Sequence, residues 1–101
     1  MMELIEFYKT YIPALEKALN YVNKVDFEFR GPDSFIDDET IRNNLDKFES
    51  ENYHKHEKLF NMVSNYLDAK SHNFKVIQGK DIEDYKKELI DEINNIKKKY
   101  F

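Results

Sequence analysis

Apolar residues recur at intervals of three and four along most of this chain, which is the periodicity of a helix with one buried face. Across residues 3–23 the series runs Leu4, Ile5, Tyr8, Tyr11, Ile12, Leu15, Ala18, Leu19 and Val22. Near the C-terminus Ile82, Tyr85, Leu89, Ile93, Ile96 and Tyr100 line one side of a helix that Asp81 is suited to cap. Lys97, Lys98 and Lys99 gather at its end, where the helix dipole favours cations. A middle series opens near Ser34 or Asp37 with Ile41, Leu45 and Phe48, and weakens over residues 49–52. It resumes at Tyr53, His56, Leu59, Val63 and Tyr66. The polar interruption leaves open whether residues 38–69 form one helix or two. Pro13 leaves a second choice open, because proline inside a helix removes a hydrogen bond and crowds the preceding turn. Either one long helix is kinked there, or a second helix carries Pro13 in its first turn.

Residues 24–33 break the period. Val25, Phe27 and Phe29 alternate with Asp26, Glu28 and Arg30, and Gly31-Pro32 closes the segment, as a half-buried strand would read. Residues 74–77 alternate similarly before Gly79 and are the natural partner. The competing reading is two extended linkers that tuck Phe27, Phe29, Phe74 and Val76 into the core. The expected fold is therefore mainly α, a bundle of three or four helices with a minor two-stranded ribbon joining 25–29 to 74–77. A length of 101 residues fits a single domain spanning 1–101.

Eight Phe and seven Tyr supply a core, since each buried ring removes roughly 150–250 Å² from water. The chain has no Cys, which removes thiol chemistry and disulfide staples and favours a reducing, cytoplasmic setting. No apolar run approaches the ~20 residues of a membrane span, so no membrane role is expected.

Catalytic signatures are missing. The serines Ser34, Ser50, Ser64 and Ser71 lie in no nucleophile elbow, and two glycines cannot build a phosphate loop. Carboxylates abound, but none is singled out as an acid/base pair, and no enzyme activity and no cofactor are expected. His54 and His56 stand two apart, which on a helix points them away from each other, so they do not chelate one ion. His56 instead falls on the apolar stripe between Tyr53 and Phe60 as a packed or boundary histidine, and a pH-sensitive core role is expected ahead of a metal site. Asp33, Asp37, Asp38 and Glu39 lack the spacing and central glycine of a calcium loop and read as helix-start acids.

Charge is distributed unevenly. The net charge is -4, yet residues 25–51 alone hold nine acids against three bases. An acidic balance opposes phosphate binding, which needs Lys and Arg to release counterions. Acids interleaved with aromatics make a docking surface, and the expected protein-binding residues are Phe27, Glu28, Phe29, Asp33, Phe35, Asp37, Asp38 and Glu39. The functional expectation is a non-enzymatic interaction protein that binds and modulates or inhibits a larger protein, one that handles nucleic acid. Small acidic proteins can present carboxylates where phosphates would lie. Two alternatives compete: a self-associating subunit that hides the apolar stripe of the last helix, and a nucleic-acid binder using Lys97–Lys99.

Overall fold

The computed structural model describes residues 2–22 and 30–101. Four helices dominate the described residues: α1 (Leu4–Tyr21), α2 (Glu39–Glu51), α3 (Tyr53–Ser71) and α4 (Ile82–Tyr100). A 3-10 helix (Pro32–Phe35) precedes α2, and a small antiparallel ribbon of β1 (Val76–Ile77) and β2 (Lys80–Asp81) joins α3 to α4. The fold is the mainly-α bundle with a minor ribbon that the periodicity implies. α1 packs on the 3-10 helix and on α4, and α3 lies between α2 and α4.

α1 is one continuous helix through Pro13. The ring sits on the exposed face, so the Lys9 carbonyl left without its partner faces water rather than the core. The opposite face buries Phe7, Tyr8, Tyr11, Ile12, Ala14, Leu15 and Ala18. Residues 38–69 divide into two helices at Asn52. Its backbone leaves the helical region at φ -126° and ψ 30°. Both its backbone N–H (2.9 Å) and its side-chain amide (3.1 Å) donate to the Phe48 carbonyl. Asn competes with the helix for its own backbone in this way, which converts the polar interruption into a bend.

α2 starts where Asp38 accepts hydrogen bonds from the backbone N–H groups of Thr40 (2.9 Å) and Ile41 (3.1 Å). Asp38→Ala should therefore cost about 1 kcal/mol of unfolding free energy, and Asp37→Ala less than about half of that. Urea titrations of the two variants check this, and equal losses would remove Asp38 from the capping role. α3 ends in a Schellman motif: Asn73 takes the left-handed conformation (φ 56°), Asn73 N–H donates to Lys70, and Phe74 N–H donates to Ala69.

The ribbon differs from expectation in its partner. Val76 pairs with Asp81 and Ile77 with Lys80 across a two-residue turn. Gln78 and Gly79 both have positive φ (50° and 79°), which is the turn that matches the right-handed twist of a hairpin. Local closure of two residues costs far less chain entropy than closure over some 50. The other half of the expected pairing, residues 25–29, lies outside the described residues. Of the alternating apolar residues at 74–77, Ile77 enters the core while Phe74 and Val76 are exposed.

α4 matches its sequence pattern residue for residue. Asp81 caps it through Glu83 N–H (2.9 Å), Glu83 and Asp84 occupy the first turn, and Ile82, Tyr85, Leu89, Ile93 and Ile96 are buried. One contiguous cluster of buried residues draws on all four helices and β1.

Candidate functional site

Helical spacing places Glu39, Arg42, Asp46 and Glu49 within about 80° of one another on α2, in a stripe whose Glu49 edge borders the buried Leu45. The Arg42 guanidinium is anchored by donating to the Ile36 carbonyl at 2.8 Å. The 3-10 helix brings Asp33 to the same side. Asp33, Asp46 and Glu49 then ring a cleft of about 220 Å³ whose floor is Phe60, Val63 and Leu67 of α3 and Tyr11 of α1. None of the three carboxylates has a salt bridge within 4.0 Å among the described residues.

The electrostatics follow from that crowding. Burial, then the charges of Asp33 and Asp46, push the Glu49 carboxyl up to about 7. Burial and Asp33 also raise Asp46, with Arg42 opposing. Burial first, then Glu49 and Asp33, hold the Tyr11 hydroxyl far above its ordinary range. Like charges near an apolar wall disfavour ionisation, and a cation would relieve them. Among the described residues no three His, Asp or Glu side chains converge to hold a metal ion.

Of the residues the sequence singles out, Phe27, Glu28 and Phe29 lie outside the described residues. Asp33 lines the cleft. Phe35 is half-buried, edge-on to Tyr21 (5.6 Å between centroids) and 4.0 Å beneath the Arg30 guanidinium. Arg30 in turn donates to the Ser34 carbonyl at 2.9 Å. Asp38 is occupied as the cap of α2, while Asp37 and Glu39 are exposed. Sequence reasoning missed Tyr11, Asp46 and Glu49. The 39, 46, 49 spacing of acids on one helix face was available, but the approach of the 3-10 helix and α1 that turns it into a cleft was not.

His56 sits at the centre of the aromatic core with 1% of its surface exposed. Phe7 and Tyr11 meet its ring edge-on at 4.8 and 4.9 Å, and the Tyr8 hydroxyl lies 3.4 Å from Nδ1. Burial pushes the imidazole down to about 4, so it is neutral near pH 7. Nε2 is buried and has no hydrogen-bond partner among the described residues. The histidine is a core residue. His54 and His72 are exposed, and His72 lies 3.4 Å from Asp68.

The lysines at the end of α4 are partly engaged. Lys97 pairs with Glu16 of α1 at 3.0 Å, and Tyr100 packs on Tyr8 at 5.4 Å. Among the described residues no helix is long and apolar enough to cross a membrane. Comparison with protein-family models, with curated proteins and with solved structures finds no match to this chain.

Proposed function

We propose that this protein is a small non-enzymatic interaction protein whose acidic face docks a basic surface of a larger, nucleic-acid-handling protein and modulates it. The observation that carries the reading is the set of carboxylates Asp33, Asp46 and Glu49, gathered around an apolar floor without salt bridges among the described residues. Carboxylates forced together destabilise the free protein, and a basic partner removes that cost on binding. Asp37 and Glu39 extend the negative field, which speeds encounter with a positive surface, while the half-buried Phe60 offers apolar area at its centre. The stripe of α4 that suggested self-association is covered within the chain, with Leu89 fully buried and Ile93 and Ile96 nearly so.

Capture from a lysate of the producing cells, after nuclease treatment, tests the docking reading when wild type and Asp37→Lys/Glu39→Lys are compared. Asp38 is spared because its loss would weaken α2 itself. The expected result is a partner retained by wild type in low salt and at least tenfold depleted with the double variant, whose helical circular dichroism is unchanged. A partner retained equally by both proteins would overturn the reading, as would recovery of the bait alone.

A further inference from the structure

The cleft over α3 holds something that a solvated acidic patch lacks. Tyr11 is 3% exposed, it lines the cleft, and its hydroxyl makes no hydrogen bond among the described residues. Glu49 and Asp33 line the same cleft, and their charges oppose its ionisation. The ring is buried but the hydroxyl oxygen is not sealed from solvent, so it opens into the cleft, where a ligand can reach it. The carboxylates are not gathered tightly enough for a metal ion, so a point charge cannot touch them together. The floor of Phe60, Val63 and Leu67 suits methylenes rather than a hydrated ion.

We propose that this cleft receives one arginine side chain of the basic partner, its stem lying on Phe60, Val63 and Leu67 and its guanidinium between Asp33, Asp46 and Glu49. The inference rests on the docking reading above and names the residue that the docking face recognises. Arginine fits better than lysine because a planar fork of five N–H donors reaches acceptors spread around a rim, whereas an ammonium is a compact, strongly hydrated charge. The Tyr11 hydroxyl oxygen accepts one of those N–H groups and donates its own proton to the Glu49 carboxylate.

Binding is coupled to protons. In the empty cleft Glu49 is largely protonated below pH 7. The groups facing it are Asp33 from the 3-10 helix, Asp46 and Arg42 from α2 and Tyr11 from α1, while the lining residues of α3 are uncharged. A guanidinium restores the charged form of Glu49, so its entry expels a proton and its affinity rises with pH up to about 7.

A nitrogen-15 NMR titration of the full chain with N-acetyl-arginine N-methylamide tests this, beside the lysine and citrulline counterparts. The arginine compound should shift the amides of Asp33, Asp46, Glu49, Phe60 and Ser64 saturably, and bind about tenfold more weakly at pH 5.5 than at pH 7.5. Citrulline, which keeps the shape without the charge, should not bind, and lysine should bind more weakly than arginine. Glu49→Gln should weaken arginine binding and abolish its pH dependence while leaving the rest of the spectrum in place. Shifts spread equally over remote acids such as Asp84 and Asp91, equal response to citrulline or lysine, or no saturable response would each overturn the proposal. If the probe fails while Asp37→Lys/Glu39→Lys still costs the protein its partner, the docking reading stands without an arginine pocket. Failure of both removes the docking reading itself.

Discussion

Glu49→Gln is expected to leave the protein losing about 2–3 kcal/mol of unfolding free energy between pH 6.5 and 4.5, where the wild type loses much less. Two buried groups titrate in opposite directions across that interval. Burial depresses His56 from 6.5 to about 4, so the unfolded chain takes up a proton that the native ring refuses. The stability that comes with the neutral ring is complete above 6.5 and is lost as pH falls toward 4, at about 1.4 kcal/mol per unit. Glu49 behaves in the reverse sense. Its native carboxyl keeps a proton up to about 7, whereas the unfolded one releases it near 4.5. Its contribution is complete below 4.5 and disappears as pH rises through 7, so acidification adds stability. Glu49 is half-buried, and solvent screening reduces its share to about 1–2 kcal/mol. The wild type therefore shows partial cancellation. Glu49→Gln exposes the histidine slope alone, and His56→Leu should show the opposite slope, with stability rising on acidification. Urea unfolding at the two pH values compares slopes within each variant, so any constant cost of the substitution drops out. Parallel profiles for all three proteins would show that neither group is perturbed as the fold implies.

Phe7→Ala should be the most damaging single truncation, at about 3–5 kcal/mol. Phe7 is fully buried and joins three helices. It stacks on Tyr11 of its own helix at 5.1 Å, on Phe48 of α2 at 4.6 Å, and meets His56 of α3 edge-on at 4.8 Å. Stacked and edge-on rings add to the area each one removes from water. Planar neighbours held by their own contacts cannot collapse into the space, so a cavity remains beside an imidazole whose Nε2 has no partner among the described residues. Ile5→Ala, two positions away and 37% exposed, should cost less than about 1 kcal/mol. Thermal and urea unfolding of the pair measure the contrast. A loss below about 1.5 kcal/mol for Phe7→Ala would mean that the aromatic cluster is not the keystone of the packing.

Legibility from sequence varied with how local the cause was. α4 could be read to within a residue, because its cap, its charged ends and its buried stripe all lie on one helix. His56 was legible as a packed histidine for the same reason: its neighbours on the stripe are apolar at helical spacing. The two ends of the Asn52 bend were visible as a weakened stripe. The choice between one helix and two was not, since it turns on how Asn52 bonds to Phe48. The ribbon was legible in kind but not in partner. Alternating residues mark a strand without saying which other segment closes on it, and here a two-residue turn with Gln78 and Gly79 closes it locally. The candidate site was legible only as an acidic region.

The chain by itself determined the helix faces, the caps and the sign of the charge, because periodicity, side-chain-to-backbone bonds and net charge are set within a few residues. Only the tertiary structure decided that Asp33 meets Asp46 and Glu49 over Tyr11, and that Phe35 packs against Tyr21. Proximity across the 3-10 helix, α1, α2 and α3 is a property of packing. The displaced protonation of Glu49 and the depressed basicity of His56 arise from that proximity and burial, and not from any residue's neighbours in sequence.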